Sequence, residues 1–118
     1  MLYMKAKEWL QKGIETEDPV DKFSNLWRGF NNLYAVENGY PEREKIKSFI
    51  IDNIAEDLAL EIISECNNDV VYLLSQPVIN MRGTGGNTQS DIDSFETAQL
   101  GVEKLKAIFI IIYQVRCN

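Results

Sequence analysis

The sequence predicts an all-α fold: a single-domain, up-and-down bundle of about five helices spanning residues 1–118. Three observations lead there. Apolar residues recur three and four positions apart in the long segments, the spacing that lines one side of an α-helix. Capping and stop signals punctuate those segments at short intervals, as in antiparallel neighbours joined by tight turns. No segment shows the strict period-two alternation of a half-buried strand, and no internal repeat appears.

Residues 1–12 carry Leu2, Met4, Ala6, Trp9 and Leu10 among lysines and glutamates, and Gly13 reads as the stop of a three-turn helix. Asp18 before Pro19 is a start signal, because an aspartate caps free N–H groups and proline fits the first turn, where no donor is needed. From there Phe23, Leu26, Trp27, Phe30, Leu33 and Tyr34 share one face opposite Asp21, Lys22, Asn25, Arg28 and Asn32. Fully enclosed, each such apolar side chain contributes roughly 1.5 to 3 kcal/mol, which makes this helix the expected packing partner of the last one.

Asn38-Gly39-Tyr40-Pro41 reads as a turn, with Pro41 opening a helix through Ile46, Phe49 and Ile50. Asn53-Ile54-Ala55-Glu56 has the form of a capping box and places a new helix over Leu58, Ile62 and Ile63. Asn67, Asn68 and Asp69 mark a further cap before the short apolar run 70–74, which Pro77 ends. Residues 78–93 are the expected long loop. Asp93-Ser94-Phe95-Glu96 offers a second capping box, from which a final helix is expected over 94–118. On that helix Phe95, Ala98, Val102, Leu105, Phe109 and Ile112 form one stripe that continues onto Arg116. A second stripe, Leu105, Ile108, Ile111 and Val115, arrives at Asn118.

Composition narrows the function classes. The net charge of −6 opposes non-specific attraction to nucleic acid, so any such role needs a local basic patch. The chain has no histidine, which removes His-based triads, HExxH zinc sites and a His general base. Cys66 and Cys117 are far apart and read as reduced thiols. The longest apolar run, 107–115, is about half of what crosses a bilayer, and the amino terminus lacks an uninterrupted apolar core. The expectation is a cytoplasmic protein with no membrane association, no cofactor and no metal.

Four groups are candidates for chemistry. Arg82-Gly83-Thr84-Gly85-Gly86-Asn87 resembles a phosphate cradle in composition, but its spacing fits neither nucleotide-binding glycine motif, and a plain loop is the expectation. Glu56, Asp57, Glu61 and Glu65 have helical spacing and oxygen ligands suited to a hard cation, yet a solvated helix face gives the same pattern. Trp9, Trp27 and Phe30 suit base stacking, but their places on apolar faces point to core packing. Arg116 differs. Helix-dipole complementarity accounts for a cation near a C-terminus, with Asn118 as a tolerated cap, but not for an arginine that extends an apolar stripe.

Asp18-Pro19-Val20-Asp21-Lys22-Phe23, leading into Leu26-Trp27-Arg28-Gly29-Phe30-Asn31-Asn32-Leu33-Tyr34, resembles the early helices of HEPN-domain proteins, particularly the Apea-like branch. The ending Tyr113-Gln114-Val115-Arg116-Cys117-Asn118 resembles the start of that family's R-x(4-6)-H motif. The resemblance implies a helical domain of a metal-independent endoribonuclease, often a prokaryotic toxin or defence effector. It also implies a homodimer paired through the C-terminal helix, an RNA substrate and, in toxin systems, an antitoxin protein as partner. It places Arg116 and Asn118 in the catalytic cleft, the arginine holding phosphate charge and the asparagine orienting its neighbours. The motif histidine would fall just beyond Asn118, so the sequence reads as a shortened version of a longer gene product, inactive in this form. The alternative is a non-catalytic helical module that dimerises or binds a protein through its last helix.

Overall fold

The computed structural model describes residues 2–37, 41–81 and 86–118, with side chains from Met4 onward. Seven helices occur among them, where about five were expected, and no strand. The chain divides into two compact units, Met1–Gly39 and Tyr40–Asn118.

The first unit is a helical hairpin of α1 (Leu2–Glu15) and α2 (Pro19–Tyr34). Asp18 caps α2 as its sequence implies, its carboxylate accepting the Asp21 N–H at 3.0 Å, with Pro19 in the first turn. Gly13 does not stop α1, which runs on to Glu15. A Cβ on Gly13 would lie 2.7 Å from the Leu26 side chain, and one on Gly29 would lie 2.6 Å from Leu10 and 3.0 Å from the Ala6 carbonyl oxygen. Both glycines therefore serve the close crossing of the two helices. α1 ends where Lys22 donates its ammonium to the carbonyls of Ile14 at 2.9 Å and Thr16 at 3.3 Å, placing a cation on a helix C-terminus.

Along α2, Phe23, Trp27, Phe30 and Tyr34 form a ladder of tilted and edge-on rings with successive centroids 6.2, 5.3 and 5.0 Å apart. Trp27 and Tyr34 are buried. Trp9 carries two cations, Lys12 and Arg28, at 5.0 and 4.9 Å from its ring. Within this unit the helix packed on α2 is α1.

The second unit comprises α3 (Glu42–Asn53), α4 (Glu56–Glu65), α5 (Asn67–Leu74), α6 (Gln89–Thr97) and α7 (Gly101–Cys117). Its core is α7, on which α3, α4 and α6 pack. Leu105, Ala107, Ile108, Ile110 and Ile111 are buried there against Ile46, Phe49, Ile50, Ala59, Val70 and Ile92.

Three expectations are corrected in this unit. The final helix does not begin at residue 94: α6 and α7 are separate, with Ala98 and Leu100 in extended conformation between them. Asp93 to Glu96 lie inside α6, where Gln89 donates to Asp93 at 2.9 Å and Thr97 to the Asp93 carbonyl at 2.9 Å. The expected loop over 78–93 accordingly ends at Thr88. Nor do Asn53 and Glu56 form a capping box. Asn53 belongs to α3 and donates to the Phe49 carbonyl, while Glu56 accepts the N–H groups of Gly101 at 2.5 Å and Val102 at 2.9 Å, capping α7.

Candidate functional site

The site begins with the way α7 is covered. Leu105, Ala107, Ile108, Ile110 and Ile111 are buried in this helix, on which α3, α4 and α6 pack, while Phe109 and Ile112 beyond Leu105 on its stripe are half-buried. Arg116 lies four positions beyond Ile112 on that less covered stripe. The guanidinium is exposed for this reason, and no hydrogen bond or ion pair is made to it among the described residues. The other described arginines are engaged, while Lys5 and Lys7 are exposed like Arg116: Arg43 bonds Asp91 at 2.7 Å and Arg28 lies over Trp9. Lys47 and Lys106 pair with Glu44 and Glu103. An uncommitted guanidinium has five donors available to an outside acceptor.

Asn118, also exposed, is used quite differently. Its amide nitrogen donates to the Ile79 carbonyl at 2.8 Å, and its oxygen accepts the Met81 N–H at 3.1 Å and the Gln114 side-chain amide at 2.9 Å. The other edge of the same segment is bonded too. Asn80 donates its N–H to the Gly86 carbonyl at 2.9 Å, and Thr88 donates to the Val78 carbonyl at 3.1 Å. The Val78 N–H reaches the Thr88 hydroxyl at 2.7 Å, and Ile79 and Asn87 form an isolated antiparallel bridge. These contacts make a narrow two-stranded neck, closed by the buried Thr88 and seated on the end of α7.

Residues 82–85, the centre of the expected glycine-rich cradle, lie outside the described residues; Gly86 and Asn87 belong to the neck. In the sequence this segment and the helix end are two unrelated candidates. The hydrogen bonds of Asn118, across 37 and 39 positions, bring the neck and the helix end together.

The remaining candidates resolve into structural work. Glu56 is committed to α7, and Asp57 accepts the N–H of Leu58 at 3.0 Å, so the acidic pattern is not one ligand set. Among the described residues no group of three or more acidic, cysteine or histidine side chains is placed to hold a metal ion. Trp27 belongs to the aromatic ladder, as core packing implied. Cys66 and Cys117 are not joined in a disulfide, and no helix among the described residues is long and apolar enough to cross a membrane.

Two further features escaped the sequence reading. Asp91, buried in α6, takes its ion pair from Arg43 in α3, 48 positions away. A groove of about 240 Å³ between α4, α5 and α7 is lined by Ile62, Ile63, Val70, Leu73, Phe109 and Ile112 among others. Comparisons of the chain with protein-family models, with curated proteins and with solved structures found no match.

Proposed function

We propose that this chain is an RNA-directed helical domain of the HEPN type, from a prokaryotic toxin or defence system, in which Arg116 holds a phosphate of the RNA backbone. The observation that carries the reading is the uncommitted, exposed guanidinium at the end of an otherwise buried helix. In a chain of net charge −6 a solvent-facing arginine without a carboxylate partner is the group best able to attract an anion locally. Its planar fork matches two phosphate oxygens at once.

Within these 118 residues there is no histidine to take a proton from a ribose 2′-OH near neutral pH. The activity assigned to the chain as it stands is therefore RNA binding without strand cleavage. Pairing of two copies through α7 would place two such guanidinium groups on one strand and offset the acidic surface.

The test is binding of a labelled single-stranded RNA at low ionic strength by wild type, Arg116→Ala and Arg116→Lys. Wild type binds and leaves the RNA intact; the alanine variant loses most of the affinity; the lysine variant recovers part, keeping the charge but not the fork. No binding by folded wild type, or equal binding by Arg116→Ala, overturns the reading.

A second reading, a helical module that self-associates through the last helix, is favoured by the groove over Phe109 and Ile112. Its occupant would be a second copy of the chain. Light scattering on wild type and Ile112→Asp decides it: a dimer dissociated by the aspartate supports self-association, and a monomer at all concentrations removes it.

A further inference from the structure

Between α3, α6 and α7 lies a cavity of about 270 Å³ whose walls carry charges of both signs. Asp91, Ser94 and Thr97 follow one another every third position along α6, which sets them on one face of that helix, and all three line the cavity. Lys47 of α3 and Lys106 of α7 line it as well, with Glu103 paired to Lys106. The buried Ala107 and Ile110 supply its apolar part.

The α6 wall offers acceptors. Ser94 donates its hydroxyl proton to the Ser90 carbonyl at 2.9 Å and Thr97 to the Asp93 carbonyl at 2.9 Å, so both oxygens present lone pairs to a ligand. Asp91 is only 8% exposed; Arg43 holds its Oδ1 at 2.7 Å, and its Oδ2 accepts no hydrogen bond among the described residues. No fully buried side-chain oxygen among those residues lacks a partner, so Oδ2 keeps some exposed surface, and the cavity that Asp91 lines is where it opens. A carboxylate oxygen so nearly enclosed gains most from a donor placed in that cavity. The lysines are held more loosely. Lys47 reaches Glu44 at 3.4 Å and Lys106 reaches Glu103 at 2.6 Å, each within one helix and each partly exposed. Such pairs add little stability, and an ammonium with three donors stays available to a second anion.

From this arrangement we infer that the cavity is a binding site for a free α-amino acid. The ammonium group is taken by Asp91 Oδ2 with the Ser94 and Thr97 oxygens, and the carboxylate by Lys47 and Lys106. A simple anion would meet the two lysines but also Asp91 and Glu103, and a simple cation would meet the reverse. A zwitterion matches both sets at once. Size agrees, because 270 Å³ lies below the roughly 300 to 1,000 Å³ of pockets for drug-sized ligands and suits an amino acid with a small side chain. Arg43 is then a positioning residue: by holding one oxygen of Asp91 it directs the other. This site shares no residue with the one proposed at Arg116 and does not depend on it.

The experiment titrates the full chain with glycine, L-alanine and L-serine, and with methylamine and acetate as the two halves of the ligand. Backbone amide resonances are followed by nuclear magnetic resonance. Saturable shifts at Ser94, Thr97 and Lys106 are expected with the amino acids. Methylamine and acetate, each making half of the contacts, bind at least about tenfold more weakly. Asp91→Asn, and separately the double substitution Lys47→Met with Lys106→Met, each weaken amino-acid binding by about tenfold or more, as for a lost charge-assisted contact. The methionines keep the apolar stems of two partly exposed lysines, so this variant folds and keeps the test decisive if Asp91→Asn does not. Circular dichroism reports the fold of both.

Absence of saturable shifts with all three amino acids on folded wild type overturns the assignment. So does binding of acetate or methylamine as tight as that of the amino acids, which reduces the cavity to a plain ion patch. Unchanged affinity in the lysine double variant, or in folded Asp91→Asn, overturns it equally, because both ends of the zwitterion must be held.

Discussion

The carboxylate of Glu56, the first residue of α4, closes the N-terminus of α7 by accepting the N–H of Gly101, 45 positions away, and that of Val102 beside it. Four N–H groups at a helix start have no partner within the helix, and the positive end of the helix dipole lies there. One side chain answers both needs and ties two helices of the core together. Glu56→Ala is expected to destabilise the protein by about 1 to 2 kcal/mol, the range for loss of a strong N-cap. Glu56→Gln, which keeps one acceptor and loses the charge, is expected to cost less. Urea unfolding followed by circular dichroism measures both, and equal stability of wild type and Glu56→Ala would show that the cap contributes nothing.

Gly29 gives a case where two effects oppose each other. Replacing a helix-interior glycine with alanine ordinarily stabilises by about 1 kcal/mol through helix propensity. Here the new Cβ would lie 2.6 Å from Leu10 Cγ and 3.0 Å from the Ala6 carbonyl oxygen. The backbone oxygen cannot rotate away, and overpacking of this kind costs about 1 to 3 kcal/mol. Gly29→Ala is therefore expected to be neutral to destabilising, with the loss showing as a lower thermal midpoint.

The pair Arg43 and Asp91 is unequally covered: 38% of the arginine side chain is exposed against 12% of the aspartate. Removing the arginine leaves a nearly buried carboxylate without its partner, whereas removing the aspartate leaves a guanidinium that can turn to solvent. Arg43→Ala is expected to cost about 1 to 3 kcal/mol, and more than Asp91→Ala. Denaturant midpoints compared at equal ionic strength test the order, and the reverse order would refute it.

Arg116 makes no interaction that folding depends on among the described residues. Arg116→Ala should leave the unfolding free energy within about 0.5 kcal/mol of wild type, as for surface substitutions generally. Its signature belongs in binding: the slope of log affinity against log salt should fall by about 0.7, the value for one single-strand phosphate that is no longer neutralised. A stability loss with an unchanged slope would assign this arginine to the fold.

Much of the architecture is legible in short stretches of sequence. Asp18 and Pro19 start α2, Pro41 precedes α3, and the apolar periodicity of the α2 and α7 segments marks both helices, because each signal acts within a turn or two of the residue that carries it. The misread positions share the opposite property. Gly13 looks like a stop until Leu26 comes to lie against it, and Asp93 and Glu96 look like a cap until α6 is seen to start earlier. The break before Gly101 depends on a carboxylate in another helix.

The same division runs through the candidate site. The pattern along residues 105–118 determined by itself that two apolar stripes exist and that Arg116 extends one of them. It could not determine which stripe the neighbours would cover, because periodicity describes one helix and burial requires at least two. Packing of α3, α4 and α6 left the Phe109 and Ile112 side more open, and that turned Arg116 outward. Asn118 carries the same lesson: its amide is a tolerated helix cap in sequence, and only the approach of residues 79–81 made it the strand-like partner of a distant segment.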